Sequence, residues 1–345
     1  MKKTYLSVLF TAFFILCLSG FSLCAEITVV AIDYPLEVFP VYCVLGSKIL
    51  EEGDGLFLWQ IKNTGNKEET IKVMSQVLDY SNPATQMVTL KPGEVKTVGQ
   101  FPVFNDKILD LPEQKLCTAN FKVFKGNDII YEETKEMTLL ATDELIWGID
   151  TDFDMSFLLA AWVTPRDPVI GEILKKAKEK MPDRTLSGYQ RESAEDVLAE
   201  MDAVWKAVQE LGISYVSSTV SFGAGYTQRV RLPRESIKEK SANCADGTVL
   251  LASVYENLGL EPLLVITSDH VYLGVKAASG SQEAYYIETT MLGDSTFQEA
   301  VDAGYENFQG LAKLKEGTDY VIINVVDLRG EGITPIPVKG EVPNI

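Results

Sequence analysis

Histidine is nearly missing from this 345-residue sequence, in which His270 is the only one. Basic residues are also scarce, since 31 Lys and Arg face 49 Asp and Glu, for a net charge of −18. Proteins that bind nucleic acids neutralise phosphates with clustered Lys and Arg, so no nucleic-acid partner is expected. Low-complexity tracts are absent and 46% of the residues are apolar, which excludes wholesale disorder. The length favours two domains.

Long hydrophobic runs are missing after the first 25 residues. Lys2 and Lys3 precede an uncharged, largely apolar run from Thr4 to Ala25, which is the layout of a secretory signal. We therefore expect residues 1–25 to direct export, and the mature chain to be periplasmic, in the cell envelope or extracellular. No integral membrane span is expected after signal removal. A retained membrane anchor is the alternative, because the run reaches the lower limit of spanning length.

Cysteine is sparse, with five in all. Two lie in the first 25 residues, which leaves Cys43, Cys117 and Cys244 in the exported part. An oxidising compartment could join Cys43 to Cys117 and leave Cys244 as a single thiol. The alternative is two separate buried thiols, since free cysteine is among the most buried residue types.

The segment 26–145 has the period-two alternation of strands, with clear examples at 56–62 and 70–73. Turn-forming Asn, Pro and Gly residues interrupt it at 63–66, 81–83 and 91–94. Roughly seven short strands in about 115 residues predict an immunoglobulin-like β-sandwich. This domain contains no histidine and no metal-ligand cluster, so we assign it no chemistry.

The segment 146–325 predicts an α+β domain, followed by an extended tail at 326–345 that wraps the domain or meets a partner. Asp167 is placed to cap one helix, with Pro168 at its first position. Ser193 is placed to cap a second, strongly amphipathic helix. A third helix, at 244–259, is apolar on most faces and is therefore expected to be central and buried.

The start of the third helix carries a candidate nucleophile. Asn243 is a good N-cap, which puts Cys244 in the first helical turn. There the unpaired backbone N–H groups and the positive end of the helix dipole stabilise a thiolate. Asp246 opposes this electrostatically, so we expect it to cap the helix or hold the loop.

His270 stands at the head of a strand, and Glu288 lies in the next strand, beyond a Gly/Ser-rich turn. A hairpin centred on Ser279 would place the two side chains directly opposite each other, about 5 Å apart at Cβ. A carboxylate there would hold the tautomer of the imidazole and stabilise its cation. A slip of one residue would turn one of the two away.

These motifs resemble the transglutaminase-like domain of the papain-like cysteine enzymes. The shared pattern begins with a Cys-x-Asp sequence at 244–246, at the start of a helix, and a Leu-Gly-Leu turn at 258–260. It continues with a histidine at the head of the second strand after that helix, and with an acidic residue that precedes a threonine in the following strand. The segments 228–236 and 162–165 resemble a bacterial exported subgroup with an N-terminal sandwich. The resemblance covers about residues 160–310. This sequence has Glu where the family more often has Asp, and its first aromatic after His270 is two residues on.

The resemblance implies that Cys244 is the nucleophile, His270 the base and Glu288 the residue that orients it. Gln228 and Asn243 are weaker candidates for supporting the oxyanion, and a turn-forming Gln228 is an equal alternative. Each member of the triad also has a structural alternative, as a buried helix thiol, a satisfied strand histidine or an ion-pair partner. No metal or other cofactor is expected, because the ligand cluster is lacking.

We therefore expect an exported thiol acyl-transfer enzyme that forms a thioester with a protein or peptide substrate. It would be a cysteine peptidase or amide hydrolase, or a protein-modifying transglutaminase-like enzyme. Hydrolysis is favoured over cross-linking, because nothing in the sequence indicates a tunnel for an amine. The alternative is a catalytically inactive protein that serves as a binding module for an envelope protein partner. A basic segment at 229–240 is either part of the site or, more simply, a solvated face.

Overall fold

The computed structural model describes residues 26–44, 55–148, 155–191, 193–217 and 227–345. Residues 1–25, expected to form the secretory signal, lie outside this range. The chain divides into two compact units, Met1–Glu144 and Leu145–Ile345. Helices and several sheets are both present, so the predicted α+β class is confirmed.

The N-terminal unit is built from two sheets in its described residues, with strand orders β2-β8-β7-β4-β5 and β1-β3-β6. Except for the β2–β8 pair, neighbouring strands are antiparallel. The strands are β1 (Ile27–Asp33), β2 (Glu37–Val38), β3 (Phe57–Asn63), β4 (Glu69–Val77), β5 (Ala84–Leu90), β6 (Val95–Gln100), β7 (Lys115–Lys125) and β8 (Asp128–Leu139). Short 3₁₀ turns occupy Pro40–Val44 and Asp106–Leu109.

The strands of this unit follow from alternation and turn chemistry. The three predicted turn segments fall between β3 and β4, β4 and β5, and β5 and β6. Alternate side chains of β3 and β7 are buried, and they meet between the two sheets. The ring of Phe121 lies 5.0 Å from that of Phe57 and 5.5 Å from that of Trp59, both edge-on. Edge-to-face aromatic pairs of this kind add to the burial of apolar area.

Cys117 lies on β7 as a free thiol, so the bridge to Cys43 is not formed. Burial raises the pKa of the Cys117 thiol to about 11. Cys43 and Cys117 are both half-buried, so the alternative of two buried thiols does not describe them either.

The C-terminal unit combines helices with strands. Its elements, of which β9 begins at the last residue of the other unit, are β9 (Glu144–Ile146), α1 (Pro168–Lys178), α2 (Ala194–Gln209), β10 (Ser214–Tyr215), β11 (Thr227–Arg229), α3 (Pro233–Glu239), β12 (Ser241–Ala242), α4 (Cys244–Asn257), β13 (Pro262–Thr267), β14 (Val271–Lys276), β15 (Ala284–Ile287), α5 (Phe297–Gly310), β16 (Tyr320–Asn324) and α6 (Val325–Glu331). Four of the strands form an antiparallel sheet in the order β15-β14-β13-β16. Short 3₁₀ turns occupy Ser156–Trp162, Gly188–Gln190, Thr289–Met291 and Leu311–Lys313.

Three helices of this unit, α1, α2 and α4, start where the sequence predicts. Asp167 caps α1 by accepting a hydrogen bond from the backbone of Val169, and Pro168 follows it. Ser193 caps α2 through the backbone N–H of Asp196. Helix α4 is buried from Cys244 to Tyr255 and packs against β13 and β14. The site residues described below therefore stand on elements anchored in the core.

The predicted extended tail differs from the structure at its start. Residues 325–331 form α6, because Asn324 caps it through the N–H groups of Val326 and Asp327. Gly332 ends this helix with a φ of 109°, a conformation that favours glycine. The later part has no helix or strand and lies along its own unit, where the N–H of Ile336 donates to the carbonyl of Ala161 over 2.8 Å.

No helix in the described part of the chain combines the length and apolar character that a bilayer crossing requires.

Candidate active site

Cys244 is the first residue of α4, and its position is set by a reciprocal cap. The side-chain oxygen of Asn243 accepts from the N–H of Asp246 over 2.9 Å. In return, Asp246 Oδ2 accepts from the N–H of Asn243 over 3.0 Å. Such a capping box satisfies N–H groups that a helix start leaves without partners. The sequence-based placement of Cys244 in the first turn is confirmed.

Asp246 anchors the chain that precedes α3. Its Oδ1 accepts from the backbone N–H of Arg231 over 2.8 Å, and its Oδ2 from Arg231 Nη1 over 3.0 Å. Burial raises the pKa of this carboxyl, although the hydrogen bonds from Asn243 and Arg231 oppose that rise. Asp246 thus both caps the helix and holds the loop, the two roles that the sequence suggested.

Two arginines of the basic segment that precedes Cys244 form internal ion pairs. Arg231 pairs with Asp246 and Glu239. Arg234 is buried and binds both oxygens of Asp167, over 2.7 and 2.8 Å. These two arginines act as structural anchors, which is neither a role in the reaction nor the solvated face that the sequence suggested.

His270 lies at the tight connection between β13 and β14. The N–H of Thr267 donates to the carbonyl of His270 over 2.8 Å and closes this hairpin. The imidazole ring is nearly parallel to that of Tyr272, with centroids 5.9 Å apart and an interplanar angle of 25°. The loop and this contact hold the ring at the edge of the sheet.

The structure brings all three members of the expected triad together. His270 Nε2 lies 2.7 Å from Glu288 Oε2, and the Cys244 side chain is near enough to the ring to help raise the pKa of His270. Because Nε2 faces the carboxylate, Nδ1 is the ring nitrogen left for the thiol. Exposure is 2% for Cys244, and 29% and 9% for the side chains of His270 and Glu288.

The register of the hairpin differs from the predicted one. Leu273 pairs with Ile287, and Gly274 with Tyr286. Paired positions therefore sum to 560, and the turn is centred on Gly280, whose φ is 70°. His270 and Glu288 are consequently diagonal, and the prediction that they sit directly opposite is wrong. The shift is two residues, which by period-two alternation preserves the face of each strand position. His270 itself directly precedes β14, and Glu288 follows β15 as the cap of a 3₁₀ turn, not within the strand as predicted.

Four hydrogen bonds fix the Glu288 carboxylate. Oε1 accepts from the N–H of Thr290 over 3.0 Å and from its hydroxyl over 2.7 Å. Oε2 accepts from Asn307 Nδ2 over 2.8 Å and faces His270. Burial favours the neutral acid, yet the hydrogen bonds and the charge of His270 prevail and lower the pKa of Glu288.

The electrostatics of His270 favour the cation. Burial opposes it, but the hydrogen bonds and charges of Cys244 and Glu288 raise the pKa of His270 from 6.5 to about 10. At neutral pH the imidazole in this site therefore carries a proton that it can donate. Such a group can protonate a leaving amine, which is half of what acyl transfer requires.

Threonine hydroxyls connect the nucleophile's helix to the residue after the acid. Thr289 Oγ1 lies 3.0 Å from Thr248 Oγ1, and Thr248 donates to the carbonyl of Cys244 over 2.7 Å. Both threonines are buried. The start of α4 and the end of β15 are thereby joined directly.

The two weaker candidates have different surroundings. Gln228 lies buried on β11, where its Oε1 accepts from Trp147 Nε1 over 3.1 Å, so its Nε2 is the donor end of the amide. The side-chain oxygen of Asn243 is used in the cap. An oxyanion role for either residue stays a prediction.

Sequence reasoning missed Asn307 and Thr290 as partners of Glu288. Thr290 follows the acid by two positions and could have been found from the tendency of threonine to hydrogen-bond nearby groups. Asn307 is 19 residues away on α5, and no local motif marks it. Within the described residues, no group of three or more His, Cys, Asp or Glu side chains is arranged to hold a metal ion.

Comparisons with known proteins add little. No protein-family model matches this sequence, and no curated protein does. Among solved structures, a β-glucosidase from Listeria innocua in complex with gluconolactone is similar over 34% of this chain, with 20% identity and a TM-score of 0.19. The match spans only 16% of that enzyme. A similarity this weak carries no argument about fold or function.

Proposed function

We propose that this protein is an exported thiol acyl-transfer enzyme with a transglutaminase-like C-terminal domain and an immunoglobulin-like N-terminal sandwich. The observation that carries the proposal is the His270–Glu288 hydrogen bond beside the Cys244 side chain, which helps to raise the pKa of His270, with the cysteine at a helix start. The four-stranded antiparallel sheet against the cysteine's helix supports the domain assignment. The two facing sheets of the N-terminal unit support the assignment of that unit as an immunoglobulin-like sandwich. Export rests on the first 25 residues.

In the proposed reaction, the sulfur of Cys244 attacks an amide carbonyl as a thiolate while His270 holds the proton from the thiol. Nδ1 of the imidazolium then donates this proton to the leaving nitrogen, the C–N bond breaks, and a thioester remains. Water attacks the thioester, gives a proton to His270 and releases a carboxylic acid. The thiol is restored when that proton returns to the sulfur. An amine in place of water would give cross-linking.

The developing oxyanion needs donors near Cys244. The backbone N–H of Cys244 is one candidate, since the first N–H groups of a helix have no partner within it. Gln228 Nε2 is the proposed second donor, because Trp147 holds the other end of that amide. Such donors are worth about 3 to 4 kcal/mol of barrier each.

The first test is the pH dependence of alkylation. Iodoacetamide is applied to the full chain, and the modified cysteines are identified by peptide mass spectrometry. The proposed pairing of the Cys244 sulfur with the His270 imidazolium predicts that Cys244 reacts at about pH 6. Cys117 is an internal control, since burial raises its pKa to about 11 and it should stay unmodified. Equal labelling of Cys244 in wild type and in His270→Ala would contradict the proposal.

The second test searches for the acyl enzyme. The chain is incubated with a peptide library, and intact mass is recorded for wild type and for Cys244→Ala. An adduct confined to wild type would identify the acyl donor. A protein or peptide substrate is expected.

The low exposure of Cys244, 2%, favours a second candidate, a catalytically inactive binding module for an envelope protein partner. In that case the Cys244→Ala substitution would change no phenotype of the cell that produces the protein. The thiol enzyme predicts that the same substitution removes the phenotype.

A further inference from the structure

Asn307 is held against the candidate site by the close approach of α5 to β15. A Cβ atom added at Gly304 would lie 2.5 Å from the backbone N of Ile287 and from the backbone C and O of Tyr286. Only glycine allows the helix to approach the strand this closely. The N–H of Glu288 also donates to the carbonyl of Ala300 in α5 over 2.9 Å. Helix and strand end are therefore docked on each other at the acid.

One turn after Gly304, Asn307 reaches the carboxylate. Its Nδ2 donates over 2.8 Å to Oε2 of Glu288, the same oxygen that faces His270 Nε2 at 2.7 Å. Thr290 supplies two hydrogen bonds to the other oxygen, Oε1. Oε2, the carboxylate oxygen that contacts the imidazole, thus also accepts a hydrogen bond from a residue of α5.

An amide is suited to share this oxygen. It is uncharged and does not titrate, so it adds a donor without adding a second cation or anion beside His270. A carboxylate held on both oxygens cannot rotate away from the ring. Asn307 is itself exposed, and replacing it therefore leaves the core of the domain intact.

We propose that Asn307 is a positioning residue that fixes Glu288 and, through it, the His270 ring facing Cys244. The importance of Asn307 for catalysis rests on the proposed function. The contact between Asn307 and Glu288 can be tested without measuring enzyme activity. Around Glu288 the titratable or charged neighbours are His270 and, more weakly, Tyr272 on β14, and Cys244 acts on His270 from α4.

The test uses the single histidine of the chain. In protein made without a histidine tag, one imidazole contributes to the ¹H–¹⁵N spectrum, and its Nε2 proton in the bond to Glu288 should give a resolved downfield signal. We expect Asn307→Leu to lose or broaden this signal, because Glu288 can then turn. Gln298→Leu is the matched control, since Gln298 is an exposed amide on the same helix whose Nε2 donates to Asp302 over 2.8 Å.

A second variant distinguishes loss of the Asn307 hydrogen bond from a general disruption of the structure by the Asn307→Leu substitution. Asn307→Asp has almost the same shape but brings a second carboxylate to Oε2, and two close carboxylates share one proton. The shared proton restores a donor at low pH. The Nε2 signal of this variant should therefore be present at about pH 5 and disappear by about pH 8, whereas the wild-type signal should persist over that range.

A kinetic readout accompanies the spectra. Alkylation of Cys244 at about pH 6 should be slowed at least about 10-fold in Asn307→Leu and less than about 2-fold in Gln298→Leu. A folded Asn307→Leu variant that keeps both the Nε2 signal and the wild-type alkylation rate would overturn the positioning role. Failure of the proposed function looks different, because wild-type Cys244 would then be unreactive at about pH 6 while the Nε2 signal still depended on Asn307.

Discussion

The hydroxyl of Thr289 donates a hydrogen bond of 3.3 Å to the carbonyl oxygen of Cys244. Thr289 directly follows Glu288, so the residue next to the acid is attached to the residue that carries the thiol. Gly247, in the first turn of α4, packs against Thr289, since a Cβ there would lie 3.4 Å from Cβ of Thr289, an ordinary van der Waals distance. The distance between sulfur and imidazole is thus controlled by a short connection, in addition to the fold as a whole.

Thr289→Val should loosen this connection. The variant keeps the shape of the side chain but removes the buried hydrogen bonds of Thr289 with Cys244 and Thr248, each worth about 0.5 to 1.5 kcal/mol of unfolding free energy. Denaturant unfolding measures this loss, and the alkylation rate of Cys244 at about pH 6 should fall with it. Thr318→Val is the control, because Thr318 is exposed and such substitutions stay within about 0.5 kcal/mol. Equal stability of the two variants would contradict the structural role of Thr289.

His270→Ala should remove the cation that stabilises a thiolate at Cys244. We expect alkylation of Cys244 at about pH 6 to fall about 100-fold or more, with a much smaller difference at about pH 9.5, where an ordinary thiol ionises. Asp269→Ala is the control, because Asp269 is the exposed neighbour of His270 in the same loop. The alkylation rates of Cys244 in the variants, measured by mass spectrometry across this pH range, test this expectation. A fall of the same size in Asp269→Ala would show that the loop, and not the imidazole, is responsible.

The pair of His270 and Glu288 should make stability depend on pH with a defined sign. The pKa of His270 is raised from 6.5 to about 10, so its contribution is complete below pH 6.5 and is lost as the pH rises towards 10. The pKa of Glu288 is lowered from 4.5, so its contribution is present above pH 4.5 and is lost on acidification below it. The difference in unfolding free energy between wild type and Glu288→Gln should therefore be largest between pH 4.5 and 6.5.

Denaturant titrations at several pH values test this dependence. Glu306→Gln provides the control, since Glu306 is an exposed glutamate of α5. A difference between wild type and Glu288→Gln that stayed constant from pH 4 to about pH 10 would show that the pair is not ionised as described.

Gly304→Ala should separate α5 from β15. The added methyl group would meet backbone atoms at 2.5 Å, and backbone cannot move aside as a flexible side chain does. We expect a loss of about 1 to 3 kcal/mol, as for other overpacked positions, together with weakening of the Asn307 contact. Gly310→Ala on the same helix is the control, because a Cβ at Gly310 would meet nothing within 4 Å. Thermal or denaturant unfolding should separate the two variants clearly, and an equal effect would rule out the close approach.

Local chemistry made much of the site predictable. The capping ability of Asn243, the apolar faces of α4 and the single histidine are properties of short segments, and they placed Cys244 and His270 correctly. The common face of His270 and Glu288 was also predictable, because the alternation of strand side chains survives a shift of two residues. The centre of the turn was not predictable: Ser279 and Gly280 are neighbours, and the choice between them depends on which residue adopts a positive φ.

Short segments of the sequence were enough to predict which side chains can do chemistry, where α1, α2 and α4 begin, and that nearly all acid–base capacity near neutral pH resides in one imidazole. Only the tertiary structure decided that Asn307 shares an oxygen with His270, that Thr289 binds the carbonyl of Cys244, and that Arg231 and Arg234 are used as anchors. The reason is physical. Caps and strand alternation depend on interactions over a few residues, whereas these contacts depend on how closely distant segments approach, as α5 does at Gly304.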